Sequence, residues 1–245
     1  MTVILPCAGE GNRLGLKTPK ELFEILPGKR LIDFSLEHIL AWDREREKGI
    51  LRLQIAVVIR SWKKEVAEYV AVKLPGIRVE TVLFDDNYTE WPGSVYSAAA
   101  FFSPYNLVLL PDSYLCLRDC GSYSPDICFN VDGKTLVELT RDALDKYKVI
   151  FGAVPCTDPN MLKHLGAMKV EQGKVTAFQD KPLQNSAHFN SFWGCYGFRI
   201  EYGKELYDFL IRSVHHQPVS LEEQSFYPPG SIPLYSYLDL GTWDN

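Results

Sequence analysis

The stretch that most constrains this chain is its start. The apolar run Val3-Ile4-Leu5 leads through Pro6-Cys7-Ala8 into Gly9-Glu10-Gly11-Asn12-Arg13, and Thr18-Pro19-Lys20 follows a few residues on. A short apolar run of this kind reads as a buried strand. Glycines directly after a strand let the backbone approach a ligand closely and take positive φ. Backbone N–H groups in such a turn form an anion-binding concavity, to which Arg13 and Lys20 add two positive charges. That is chemistry for a triphosphate. It is not a dinucleotide fingerprint, because the third glycine position of G-x-G-x-x-G falls on Leu14, and no Gly-Lys-Ser/Thr follows at Walker A spacing. A tight turn of purely structural purpose would carry the same glycines, so the rest of the chain has to decide.

Composition narrows the classes. With 245 residues, 46% of them hydrophobic, the chain can bury a full core as one α/β domain. A net charge of −5 argues against nucleic-acid binding, which needs a basic face. The six cysteines follow no zinc spacing, since Cys116 and Cys120 lack a second pair. Met1 to Ala8 is too short for a secretory leader and lacks a basic start, so a cytoplasmic protein with reduced cysteines is expected. No apolar run approaches the roughly 18 residues of a membrane span, and no membrane association is expected.

Periodicity then orders the chain. Helical spacing runs from Asp33 to about Glu47, and Leu51 to Ile59 reads as a second strand. A helical stripe on Val66, Tyr69, Val70 and Leu74 stops at Pro75-Gly76, and Val79 to Phe84 is a third strand. This alternation points to parallel crossovers and a doubly wound sheet. Pro92-Gly93-Ser94 reads as a turn, with Ser94 as N-cap of a helix that continues through Phe102. The run Asn106 to Leu110 is a strand buried on both faces, with Asp112 at its carboxyl end, where open α/β sheets bind ligands. A carboxylate there suits a hard cation such as Mg²⁺, although an ordinary turn cap would look the same. Beyond a helix over Thr135 to Tyr147 and a strand over Val149 to Pro155, Gly166–Val170 and Val175–Phe178 form a hairpin that exits at Asp180-Lys181-Pro182. A strand over Ser191 to Phe198 and an amphipathic helix over Glu201 to Val214 precede the closing Leu238-Asp239-Leu240-Gly241-Thr242. The five histidines fall outside these motifs and read as structural or surface residues.

Taken in order, strand-G-x-G-x-R…P-K, P-G-S, L-L-P-D, a hairpin ending in D-K-P, G-x-Y-x-F and L-D-L-G-T resemble the sugar-1-phosphate nucleotidyltransferases along essentially the whole chain. The resemblance implies a single-domain, Rossmann-like α/β fold with a mixed, mainly parallel sheet flanked by helices. It implies an NTP-binding part over about 1–115 and a sugar-phosphate-binding part over about 116–245. It also implies that an NTP condenses with a sugar 1-phosphate to give an NDP-sugar and pyrophosphate, with Mg²⁺. Carried over to this sequence, Ala8, Gly9, Gly11 and Arg13 frame the nucleotide, with Gly93 and Ser94 on the base. Arg13 and Lys20 stabilise the departing pyrophosphate, and Asp112 and Asp239 hold the metal. Lys181 contacts the sugar phosphate, while Gly166, Asp180, Trp193 and Gly194 form the sugar pocket.

Departures from the family pattern are Pro6-Cys7-Ala8 in the opening, Pro111 before the aspartate, and Asp180 in place of the more usual Glu, which shortens its reach. The chain ends soon after Thr242, without the tail many relatives append, so a homo-oligomer is left open. Two rival readings stand beside the main one: a cytidylyltransferase acting on a polyol phosphate, and a non-catalytic nucleotide-sensing subunit on the same fold.

Overall fold

The computed structural model describes residues 1–10, 18–45, 52–119 and 128–240. Nine strands build the main sheet: β1 (Thr2–Pro6), β2 (Gln54–Ile59), β3 (Arg78–Leu83), β4 (Tyr105–Leu109), β5 (Val149–Pro155), β6 (Gly166–Glu171), β7 (Lys174–Asp180), β8 (Ser191–Arg199) and β9 (Gly230–Pro233). Their order is β5-β9-β7-β6-β8-β4-β1-β2-β3, and β5 also pairs with β8. The half built from the first four strands is all parallel, with Val3 between Ile55 and Leu107. Strand β8 joins it antiparallel to β4, Cys195 opposite Leu109, and the later strands follow mostly antiparallel.

Strand alternation sets the two layers. Val3, Leu5, Ile55, Val57 and Ile59 point to one face, packing with α1 (Asp33–Glu45), α2 (Lys64–Lys73) and a third helix at Leu136–Leu144. Ile4, Ala56, Val58 and Val108 point to the other, packing with Val95 of α3 (Glu90–Tyr96) and with Leu206, Phe209 and Leu210. The helix at Leu136–Leu144 is α4, and that at Gly203–Val214 is α5. Burial on both faces is why the early strands read as continuous apolar runs rather than alternating ones. Among the described residues, no helix is long and apolar enough to cross a membrane.

Three expectations are corrected. Helix α3 begins at Glu90, so Ser94 lies inside it rather than at its N-cap, and Pro92 belongs to its first turn. Proline is tolerated there because first-turn N–H groups have no intrahelical acceptor. Strand β4 ends at Leu109, which leaves Asp112 in the following turn. The cysteines are not uniformly reduced: Cys7, Cys116, Cys156 and Cys195 are free, whereas Cys128 is disulfide-bonded.

Candidate active site

A cleft of about 450 Å³ opens over the carboxyl ends of the parallel strands. Of the residues singled out from the sequence, Ala8, Gly9, Lys20, Ser94, Asp112, Gly166, Asp180, Lys181, Trp193 and Asp239 all line it. Gly11 and Arg13 lie outside the described residues.

The loop after β1 is held from behind. Cys7 N–H donates to the carbonyls of Leu5 (3.0 Å) and Val58 (2.8 Å), which keeps the chain against β2 beyond the strand end. Lys63, just past β2, is fully buried and donates to the carbonyls of Cys7 at 2.9 Å and Gly9 at 2.5 Å, and to both carboxylate oxygens of Glu21 at 2.9 Å. Arg60 Nε donates to the Ala8 carbonyl at 3.1 Å, and its guanidinium stacks on Phe84 at 4.9 Å. Sequence reasoning missed all three side chains. Lys63 and Glu21 carried no motif, and a buried lysine cannot be told from an exposed one by residue type. Cys7, packed beside this cluster, has its thiol pushed well up, first by burial and then by the Glu21 charge.

Lys20 Nζ meets Asp112 Oδ2 at 2.5 Å, both side chains being mostly buried. Asp239 reaches the same cleft through long-range strand pairing. Ser113–Cys116 pairs antiparallel with Ser236–Asp239, Asp239 opposite Ser113, and Leu240 N–H donates to the Asp112 carbonyl at 2.8 Å. Two residues far apart in sequence, Asp112 and Asp239, are thereby brought to the lining of one cleft.

On the opposite wall, β6 and β7 pair with Gly166 opposite Asp180. The strand stops there: Lys181 has φ +44°, and its N–H donates to the Leu165 carbonyl at 2.9 Å. Consecutive strand residues would face opposite ways, but this turn brings both Asp180 and Lys181 into the cleft wall. Asp180 is buried, and desolvation pushes its carboxyl up, opposed by the charges of Lys181 and His216. Glycine is required at 166 because the Trp193 indole lies on it: a Cβ there would stand 1.9 Å from Nε1. Trp193 in turn packs on Trp91 at 4.8 Å and edge-on to Tyr196 at 5.7 Å.

Gly93 and Gly194 do not line the cleft. At Gly93 a Cβ would stand 2.7 Å from Tyr88 Cβ, so this glycine serves the packing of α3 on the preceding turn. Gly194 faces Leu115, Leu234 and Tyr237. Ser94 does line the cleft, with its Oγ buried and unpaired. His164, taken from the sequence as outside the site, lines it too, together with Glu10, Arg60, Phe84, Glu90, Trp91 and Tyr237. Glu90 and Trp91 come from the start of α3, Tyr237 from the strand Ser236–Asp239 and the rest from connecting segments, so their meeting depends on the whole sheet. The described lining holds five carboxylates (Glu10, Glu90, Asp112, Asp180, Asp239) and three cations (Lys20, Arg60, Lys181).

This mixed sheet between helices, with a cleft at its parallel carboxyl ends, is a fold the chain shares with solved sugar-phosphate nucleotidyltransferases. The structure superposes on UDP-glucose pyrophosphorylase from Acinetobacter baumanii with a TM-score of 0.70 at 15% identity, over 98% of this chain and 88% of that one. A UDP-glucose pyrophosphorylase complexed with UDP-glucose gives 0.70 at 15% identity over 98% and 93%. The inositol-1-phosphate CTP transferase from T. maritima gives 0.60 at 13% identity over 98% and 89%. No protein-family model and no curated protein sequence matches the chain. At these identities the likeness is one of fold.

Proposed function

We propose that this protein is a nucleotidyltransferase that condenses an NTP with a sugar 1-phosphate, giving an NDP-sugar and pyrophosphate. The observation that carries this reading is the convergence of ten sequence-predicted residues, from Ala8 to Asp239, on one cleft. In the reaction an oxygen of the sugar phosphate attacks the α-phosphorus. The bond from that phosphorus to the oxygen bridging to the β-phosphate breaks, and pyrophosphate leaves with the electron pair. The protein's work is then to align the two anions and offset their charge, without a protein nucleophile.

Residues about 1–115 supply the NTP side and about 116–245 the sugar-phosphate side. Ala8, Gly9 and Gly11 cradle the phosphates, and Ser94 lies in the cleft wall on the nucleoside side. Gly93 acts indirectly, by letting α3 sit close enough for Ser94 to reach the cleft, and Gly194 similarly supports Trp193. Arg13 and Lys20 stabilise the leaving pyrophosphate. Lys181 binds the sugar phosphate, with Asp180 and Trp193 around the sugar. Asp112 and Asp239 fit a Mg²⁺ ion: both are hard oxygen donors lining one cleft, among whose described residues carboxylates outnumber cations. When bound, the ion neutralises charge across the triphosphate. We place the reaction in the cytoplasm, which supplies NTPs, against the disulfide at Cys128, a bond more usual in oxidising compartments.

A second reading, transfer of CMP to a polyol phosphate, is favoured by the fold match to the inositol-1-phosphate CTP transferase. Pyrophosphate release measured for each NTP against a panel of sugar 1-phosphates and polyol phosphates tests both. Release with a sugar 1-phosphate supports the main reading, and release only with CTP and a polyol phosphate replaces it. NTP binding without release from any pair overturns both and leaves a nucleotide-sensing subunit.

A further inference from the structure

The geometry assigns Lys63, with its partner Glu21, as the positioning residue that turns the loop after β1 so that its N–H groups face the phosphates. The assignment rests on the reading of this cleft as a polyphosphate site. Lys63 lies beneath the loop at 0% exposure, its three ammonium protons shared among four oxygens: the Cys7 and Gly9 carbonyls and both oxygens of Glu21. Arg60 takes the carbonyl between them, that of Ala8. Three consecutive carbonyls are thus each held by a side-chain cation.

Peptide planarity gives this its consequence. In a trans peptide the N–H points opposite to the C=O of the same unit. Drawing the Cys7 and Gly9 carbonyls down onto the buried ammonium therefore turns the N–H groups of Ala8 and Glu10 away from it. Ala8, Gly9 and Glu10 are cleft-lining residues, so away from Lys63 is toward the cleft. The same contacts withdraw carbonyl oxygens that would repel an anion. Glu21 adds a second link, because it sits in the turn Lys20–Leu22 beside Lys20. One buried ion pair thereby joins the loop to the turn that carries the Lys20 ammonium.

Removing one member alone would strand a buried charge and unfold the protein for reasons unrelated to the loop. The test is therefore the double variant Lys63→Met/Glu21→Met, which replaces the pair by apolar chains of similar length. Far-UV circular dichroism and thermal unfolding verify the fold, and calorimetric titration with inorganic tripolyphosphate and MgCl₂ reads the loop without depending on turnover. We expect tripolyphosphate affinity to fall by about tenfold or more, the Ala8 and Glu10 amide resonances to shift, and kcat to drop with KM for the sugar 1-phosphate unchanged. Wild-type affinity and unshifted amides in a folded double variant overturn the assignment, as does a wild-type protein that does not bind tripolyphosphate. Should the double variant fail to fold, Lys63→Arg takes its place: a guanidinium keeps the charge but cannot point at all four oxygens, and unchanged affinity in that variant also overturns it. Loss of tripolyphosphate binding in a protein that releases no pyrophosphate from any substrate pair would sustain the positioning role while refuting the proposed reaction.

Discussion

Gly166→Ala is the substitution whose consequence can be worked furthest from the structure. The added carbon would stand 1.9 Å from Trp193 Nε1 and 2.3 Å from Cδ1. Ordinary carbon contacts are about 3.5–4.0 Å, so the indole has to withdraw by about 1.5–2 Å. Its retreat is limited by Trp91 at 4.8 Å and Tyr196 at 5.7 Å. The backbone cannot yield easily either, because Gly166 is in register with Asp180 and Ala167 with Phe192. Overpacking of this sort costs about 1–3 kcal/mol. At about 2–4 °C per kcal/mol for a chain of this size, Tm should fall by about 2–12 °C. On the proposed reading the displaced ring belongs to the sugar side of the cleft, so KM for the sugar 1-phosphate should rise while KM for the NTP stays put. Adding Trp193→Phe shrinks the ring at the point of collision and should recover part of the lost Tm, a coupling of about 0.5–3 kcal/mol in a double-mutant cycle. Unchanged Tm in Gly166→Ala, or strictly additive effects in the double variant, would refute the reasoning.

Three further outcomes are expected. Asp112→Asn and Asp239→Asn should each abolish turnover with the fold intact, since each removes a hard anionic ligand; most of the wild-type rate at saturating Mg²⁺ would exclude that residue from metal binding. Lys20→Ala should lose kcat by on the order of 10², as for a charge acting in the transition state, whereas Lys181→Ala should raise KM for the sugar phosphate, and steady-state kinetics on both variants separates the roles. Asp180→Asn should stabilise the protein at neutral pH. Burial raises the carboxyl above its ordinary value of 3.8 in the folded state, so its contribution is most favourable below that pH and is lost as pH rises through the raised value. The Tm difference between variant and wild type should accordingly vanish in acid and open on going toward neutrality. A difference that does not change with pH would show that the Asp180 carboxyl titrates alike in the folded and unfolded protein and would refute the burial-driven shift.

Much of this architecture is legible in the sequence, because periodicity and turn residues act locally. The apolar run at Val3–Leu5, the hairpin ending at Asp180 and the helix ending at Val214 fall close to where spacing puts them, while the strand read over Asn106–Leu110 lies at Tyr105–Leu109. Local signals also mislead at close range. Pro92-Gly93-Ser94 looks like a turn before a helix, yet Pro92 sits in the first helical turn and Gly93 answers to Tyr88. The order of motifs likewise singles out Lys20, Asp112, Lys181 and Asp239.

What brings those residues together is non-local. Asp112 and Asp239 share a cleft because Ser113–Cys116 pairs with Ser236–Asp239, a choice of strand partner that no short window of sequence encodes. Asp180 and Lys181 share a wall because the chain leaves the strand at φ +44°, overriding the alternation their neighbours obey. Lys63 is invisible for a different reason. As a residue type it belongs at the surface, and only a folded interior that supplies the Glu21 carboxylate and two loop carbonyls makes a buried ammonium stable. Sequence alone determined which elements and which chemical groups the chain contains. The tertiary structure decided which of those groups lose their water and face one another, because desolvation and long-range pairing are properties of the packed whole.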